Sequence, residues 1–286
     1  MIIVDYSQTI ISNLMAELNG RKDIELEIPL LRHMVLNTLR SYNNKFKDDY
    51  GNMVIACDSK EKYWRKEYFQ FYKSNRKKAR DESGYNWSMI FNAINQIKNE
   101  IKEVFPYKVL EVGGAEADDI IATICKWTQT NTLERVLIVS GDHDFFQLQK
   151  YKNIKQYSSL KNKFVKAERP PEQLVLEHII KGDRGDGIPN VFSSDDSFVN
   201  GERQKPVSSK KLQEWLDDPT TLPTDDNFQR NFDRNKKLVD FSQIPKQIEL
   251  EIINNFENYN QNNRSRILDY FIEHKMKQMV DHLEEF

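Results

Sequence analysis

Four short apolar runs, each leading into acidic residues, constrain this chain more than any other feature of its sequence. MIIV ends at Asp5, MVIAC at Asp58, YKVLEV stops shortly before Glu116, and VLIVS leads to Asp142 and Asp144. Apolar runs of this length read as buried strands. The stretches between them, LLRHMVLNTLRSY, MIFNAINQIKNEI and DDIIATICKW, carry apolar residues at helical spacing. Strands alternating with helices predict an α/β fold whose central, mostly parallel sheet is flanked by helices. In such sheets the functional crevice lies beyond the carboxyl ends of the strands, which is where these acids would collect.

Between the second and third runs lies KEKYWRKEYFQFYKSNRKKARDESGYNW, too long and too charged for a tight connection, so a basic arch is expected at about 60–90. From about residue 170 the pattern becomes helical. PPEQLVLEHIIKG reads as a helix opened by proline and closed by Gly182, and SSKKLQEWL, PKQIELEIINNF and RSRILDYFIEHKMKQMVDHL read as further helices. Residues 193–235 read mostly as polar loop, broken by Pro206, Pro219 and Pro223. The expected organisation is an α/β core over 1–168 and a smaller helical domain over 169–286.

Composition narrows the class. A hydrophobic content of 38% supports a real core, and no apolar run approaches the length needed to span a bilayer. The N-terminus MIIVDYSQTI has neither a basic leader nor a cleavage site, so a cytoplasmic chain with no membrane partner is expected. Cys57 and Cys125 fit no zinc-ligand pair and no disulfide framework, which points to a reducing compartment. No dimer seam is visible, and a monomer is expected.

An aspartate after a strand often caps the helix that follows, and Asp5 alone reads that way as readily as any other. Capping, however, needs one carboxylate. Glu116, Asp118 and Asp119 come together in GAEADDIIA, Asp142 and Asp144 in SGDHDFFQL, and Asp183 and Asp186 in KGDRGDGIP. With Asp5 and Asp58 these make nine acids that would repel one another unless protonated or neutralised by cations. Oxygen donors favour hard ions, so Mg²⁺ is expected, two ions in all, with Mn²⁺ able to substitute. Two such ions near one another can activate water and stabilise the leaving oxygen of a phosphodiester. An EF-hand does not fit the spacing. The histidines are not expected to take part: His143 should point away from the acids, His33 and His178 lie within helical patterns, and His274 and His282 lie in a polar terminal helix.

The formal net charge is -2, but with nine acids taken up around cations the rest of the chain is basic. The basic residues concentrate at 60–80, interleaved with Tyr63, Trp64, Tyr68, Phe69, Phe71 and Tyr72. Cations can follow a phosphate backbone while rings stack on unpaired bases, which suits a single-stranded end. An amphipathic helix with its rings in the core is the competing reading, and for most of these rings it is partly expected. Lys73 and Arg76, close together in YKSNR and followed by Lys77, Lys78 and Arg80, are the expected phosphate contacts.

The motifs IIVDYSQ, VIACDS, YWRKEYFQFYKSNRKKAR, EADDIIA, VSGDHDFFQL and IIKGDRGDGIPNV, taken in this order, resemble the 5′-nuclease or flap endonuclease superfamily, in its phage ribonuclease H branch, over nearly the whole chain. The resemblance implies a PIN-like 5′-nuclease core with an active-site cleft, a helical arch over it, and a helix-turn-helix variant in the C-terminal domain that grips duplex DNA. It implies that Asp5, Asp58, Glu116, Asp118, Asp119 and Asp142 surround a first metal, with Asp144, Asp183 and Asp186 nearer a second. By the same resemblance Lys73 and Arg76 contact the scissile phosphate, Asp142 is essential to catalysis, Tyr72 stacks on the terminal base, and Arg65, Lys77, Lys78 and Arg80 follow the nucleic acid. The implied activity is Mg²⁺-dependent 5′-to-3′ exonuclease action on DNA and RNA–DNA hybrid ends, removing RNA primers in lagging-strand replication, together with flap cleavage. The C-terminal helices would meet a single-stranded DNA-binding protein. Because the chain begins almost at its first strand, a tail carrying a sliding-clamp contact is not expected.

One departure stands out: GDRGDGIPN runs into VFSSDDSFVNGERQKP, without the glycine-rich hairpin usual in the family. Two other classes fit less well. A haloacid-dehalogenase-type phosphatase needs a second aspartate two residues after the first, where this chain has Ser7. A structure-specific DNA-binding protein without catalysis would be expected to have lost several acids, and all nine are present.

Overall fold

The computed structural model describes residues 1–21 and 26–286. The four apolar runs form parallel strands β1 (Ile2–Asp5), β2 (Met53–Ala56), β3 (Lys108–Leu110) and β4 (Val136–Val139). Two strands not expected from the sequence extend the sheet: β5 (Ile154–Ser158), parallel to β4, and β6 (Lys163–Val165), antiparallel to β5. The order is β3-β2-β1-β4-β5-β6, so the connections reverse direction between β1 and β4. A crevice opens at such a switch point, at the carboxyl ends of the strands. In register, Val4 of β1 faces Val139 of β4, which brings Asp5 beside the residues that follow β4.

Strand periodicity sends alternate residues to opposite faces, and two cores form accordingly. Ile2, Val4, Ile55 and Val139 pack under α1 (Tyr6–Leu18), α2 (Ile28–Tyr50) and, across the third connection, α5 (Trp87–Val104). Ile3, Val54 and Ile138 face α6 (Ala117–Asn131) and the 3-10 segment His143–Lys150. Between β2 and α5 the basic segment forms two short helices, α3 (Trp64–Tyr68) and α4 (Asn75–Ser83). No residue of α4 is buried, as an arch over a cleft requires.

The second half begins with α7 (Pro171–Lys181), followed by a tight turn closed by the Asp183–Ile188 bridge and an irregular stretch before α8 (Ser209–Asp217). Helix α9 (Asp226–Val239) lies largely in the stretch expected to be loop. Its apolar face is thin, and its buried positions include Asn231, Arg234 and Asn235, which bond the carbonyls of Val191, Pro189 and Ile179. Phe228, Phe232, Leu238 and Val239 do recur at helical spacing, but they are few among many polar residues, so the stretch reads as loop. Next come α10 (Lys246–Glu257), α11 (Ile267–Glu273) and α12 (Lys277–Val280). The terminal helix expected as one piece is broken at Lys275, whose φ is 57°.

The smaller helical domain expected over 169–286 has a core of its own only around Ile180, Val191, Leu212, Trp215, Leu216 and Phe228. Phe241, Ile252 and Phe256 complete one face of the sheet, and Tyr270, Phe271 and Phe286 complete the other. Among the described residues, no helix is long and apolar enough to cross a membrane.

Candidate metal centre and nucleic-acid cleft

Asp5 ends β1 and caps α1, its Oδ1 accepting from Gln8 N at 3.2 Å. Capping uses one oxygen. The other accepts from the Ser140 hydroxyl at 3.2 Å, and Ser140 Oγ in turn accepts from Asp142 N at 3.2 Å. One serine at the end of β4 thus ties the acids of the two central strands together. Asp58 Oδ1 accepts from Ala117 N at 3.0 Å at the start of α6, and Asp118 lies one residue further along that helix.

Asp5, Asp58, Asp118 and Asp142 line one cleft of about 710 Å³, and Lys66, Lys73, Arg76, Lys77 and Arg80 line it too. Burial, with Asp58 and Asp142 nearby, raises the Asp5 carboxyl to about 8. Burial and then Asp144 raise Asp142 to about 6, and burial with Asp142 and Asp5 raises Asp118 well above the usual carboxylate range. Among the described residues, Asp118 has no hydrogen bond or ion pair, and its oxygens are left for something else. Oxygen donors pressed together until protons are retained form a set that a hard divalent cation satisfies.

Two residues expected at the first metal are paired with the basic segment in this structure. Asp119 is fully buried, and its Oδ2 accepts from Glu116 N, Trp64 Nε1 and Arg65 Nη1, each at 3.0 Å. Glu116, 1% exposed, accepts from Arg65 Nη1 at 2.9 Å and Tyr72 Oη at 3.0 Å and is paired with Lys73. Burial opposes its charge, but Lys73 and Arg65 outweigh burial and hold Glu116 below the usual range. Both acids pair with cations of the arch segment.

Arg65 and Tyr72 are corrected in the same way. Arg65 was expected on nucleic acid, yet its guanidinium is buried, paired with Glu116 and Asp119 and donating to Leu238 O at 2.9 Å. Tyr72, expected to stack on a base, is 2% exposed, packs with Phe69, Ile179 and Leu238, and donates to Asp186 Oδ2 at 2.9 Å. Lys73 and Arg76 do reach the acidic cleft. Lys73 pairs with Glu116 and lies 3.6 Å from Asp186, and Arg76 pairs with Asp186. Lys77 and Lys78 are exposed; Lys78 is 3.9 Å from Glu82 and outside the cleft wall, while Arg80 lies over the Phe91 ring at 4.7 Å.

The turn after α7 fastens the arch from below. Lys73 N donates to Asp186 O at 2.7 Å, and Asn75 and Arg76 donate to the carbonyls of Arg184 and Gly185. Gly182 has φ +67°, and a Cβ there would lie 2.3 Å from Ile188 O, so the turn depends on glycine.

Asp186, expected near a second metal, accepts from Tyr72 and lies beside Lys73 and Arg76. His178, expected at an ordinary surface or core edge, sits between Asp144 and Asp183. Its Nδ1 is 3.1 Å from Asp144 Oδ1 and its Nε2 is 3.1 Å from Asp183 Oδ2. Burial opposes the imidazolium, but the two carboxylates outweigh it and raise His178 to about 10. Burial works against Asp183 too, but His178 brings it down to about 2. The only sequence signal for His178 was its place five residues before Asp183. His143 does turn outward, stacking on Phe146 with ring centroids 4.9 Å apart.

Residues 14–176 match the family described as 5′-3′ exonuclease, N-terminal resolvase-like domain, and residues 170–286 match T4 RNase H, C terminal. The chain is 31% identical to the ribonuclease H of Enterobacteria phage T4, over 99% of this chain and 95% of that one. It is 34% identical to a 5′-3′ exonuclease of Mycoplasmopsis pulmonis over 49% of this chain and 46% of the relative. Among solved structures, a T5 protein co-crystallised with metal ions is similar, with TM-score 0.64 at 18% identity, covering 91% of this chain and 99% of that one. A bacteriophage T5 flap endonuclease in a pseudo-enzyme–product complex with DNA and metal ions gives 0.63 at 17% identity, covering 90% and 97%. At these identities the two structures speak for the fold.

Proposed function

The chain belongs to the 5′-3′ exonuclease family of nucleases, and on that premise we propose that it is a Mg²⁺-dependent 5′-to-3′ exonuclease and flap endonuclease. It hydrolyses phosphodiesters at the 5′ ends of DNA and RNA–DNA hybrids, and its task is the removal of RNA primers during lagging-strand synthesis in the host cytoplasm. The observation that carries this reading is the single cleft lined both by Asp5, Asp58, Asp118 and Asp142 and by Lys66, Lys73, Arg76, Lys77 and Arg80. Acids there can hold cations, and bases can hold phosphate.

Divalent cations held by those four carboxylates supply Lewis-acid polarisation and charge neutralisation at the phosphodiester. The chain's own residues do the rest. Asp142 and Asp5 would hold a cation at the ends of β4 and β1, and the Ser140 hydroxyl, bonded to both residues, ties them together. Lys73 and Arg76 bring preorganised positive charge to where the phosphate gains negative charge. Lys66, Lys77 and Arg80 guide the 5′ strand in. A second groove, of about 850 Å³, leaves the acids on the other side past Lys161, Lys163, Lys166 and Lys181, a track suited to the duplex backbone.

The test is cleavage of a labelled 5′-flap DNA and an RNA–DNA primer duplex, with Mg²⁺ or EDTA, by wild type and Asp142→Asn. Metal-dependent release of short 5′ products, lost in Asp142→Asn while binding persists, is expected. Binding without cleavage by the wild type would leave a structure-specific DNA-binding protein as the better description.

A further inference from the structure

Among the described residues, the 710 Å³ cleft and the 850 Å³ groove share only Gln8 and Asp142 in their linings. The boundary between the arch side and the lysine track therefore falls at Asp142. The next residue, His143, lines the lysine track alone. On the reading proposed above, this boundary is where the duplex ends and the 5′ strand departs.

His143 opens a 3-10 segment, in which side chains three residues apart lie one above the other. It therefore stacks on Phe146, with ring centroids 4.9 Å apart and planes 17° from parallel. Phe146 is half-buried and backs the pair, while His143 is exposed, so the other face of its ring is left to the groove. The backbone around it is held at three points. Asp142 caps the segment through Asp144 N at 3.0 Å, Gln156 Nε2 donates to Asp142 O at 2.6 Å, and Gln8 Oε1 accepts from Gly141 N at 3.3 Å.

An exposed ring pair can be no more than solvated surface. Two observations speak for a ligand. The pair follows directly on a carboxylate of the metal centre, and a pinned backbone joins the two, so whatever rests on the ring is held at a fixed distance from the reacting phosphate. Lysines from two elements, Lys163 and Lys166 around β6 and Lys181 on α7, line the same groove. Cations that seat a nucleic-acid backbone beside a ring that any base can stack on make a combination suited to the end of a duplex.

We propose that the His143–Phe146 pair is a stacking platform for the last base pair of the duplex, and that it sets which phosphate reaches Asp142. His143 is a positioning residue, acting through its ring face. Because every base has such a face, the platform registers the junction by structure and not by sequence. The inference rests on the nuclease reading in that it assigns the junction contact of that cleft.

The experiment uses the full chain as wild type, His143→Ala and His143→Phe, on a 5′-flap duplex carrying 2-aminopurine at the first paired position. With Ca²⁺ in place of Mg²⁺, emission from the saturated complex is expected to be quenched in wild type, brighter in His143→Ala and quenched again in His143→Phe. With Mg²⁺, products are mapped at single-nucleotide resolution. The ratio of the main product to its neighbours should fall roughly tenfold in His143→Ala, the effect of losing one stacked base, and recover in His143→Phe. Emission or cut position equal in wild type and His143→Ala would overturn the proposal, and so would a loss that His143→Phe fails to restore, which would assign the effect to the ring nitrogens. A wild type that cuts nothing would defeat the nuclease reading, and the emission would still judge the stacking. His143 is exposed, so these variants keep the core intact.

Discussion

Replacing Arg65 with methionine keeps the aliphatic stem and removes the charge from the centre of the arch anchor. The Arg65 side chain is 3% exposed, and those of Glu116 and Asp119 are 1% and 0%. Its guanidinium lies 2.9 Å from Glu116, 2.8 Å from Asp119 and 2.9 Å from Leu238 O. Removing it leaves two buried carboxylates with Trp64, Tyr72 and Lys73 as their remaining side-chain partners. Taking one partner from a buried pair destabilises by about 3–5 kcal/mol, because the charge left behind stays desolvated. For a chain of this size that corresponds to a fall in Tm of about 6–15 °C. Thermal melts and urea titrations of Arg65→Met in EDTA measure it directly. If Arg65 instead touched phosphate, the variant would melt within about 1 °C of wild type, while flap DNA bound more weakly with a salt slope smaller by about one. That result would refute the anchor assignment.

Lys73→Ala should lower single-turnover cleavage about a hundredfold, the effect of losing one preorganised charge at a reacting phosphate; unchanged turnover would remove Lys73 from the reaction. Gly182→Ala should destabilise by about 1–3 kcal/mol, since alanine is strained at positive φ and its Cβ would meet Ile188 O; a melt equal to wild type would show that the turn relaxes freely. Metal-free protein should lose stability as pH rises. Asp5 at about 8 and Asp142 at about 6 hold protons that the unfolded chain releases near pH 4, so their contribution is full below pH 4 and disappears as pH passes 6 and then 8. His178, raised to about 10, acts in the same direction above its ordinary range. Scanning fluorimetry in EDTA should therefore show Tm falling from pH 5 to pH 8, with added Mg²⁺ restoring most at pH 8; a flat profile would contradict the carboxylate cluster.

The strands at the centre of the sheet were legible because parallel strands buried on both faces must be apolar throughout, so MIIV, MVIAC and VLIVS cannot easily be anything else. The acid that follows each run was legible because the carboxyl ends of parallel strands open onto the functional crevice. Edge strand β6 escaped notice because an edge needs no continuous apolar run, and its Phe164 and Val165 sit between Lys163 and Lys166 as on a protected edge, while β5, IKQYS, alternates apolar and polar residues instead of forming an apolar run. Helix α9 escaped because its apolar stripe, Phe228, Phe232, Leu238 and Val239, is sparse within a polar stretch, and Asn231, Arg234 and Asn235, bonded to carbonyls, share its buried face.

The sequence by itself determined the central parallel sheet, the convergence of acids at its carboxyl edge and the basic segment opposite them. All three follow from local pattern and from charges too dense to be left unneutralised. Only the tertiary structure decided which charges meet. Glu116 and Asp119 turn inward because Arg65 and Lys73 arrive from an arch 43 to 54 residues earlier in the chain, Asp186 is drawn to that same arch, and His178 reaches Asp144 because α7 packs along the segment after β4. Pairing of this kind depends on the approach of elements distant in sequence, and no local pattern of residues encodes that distance.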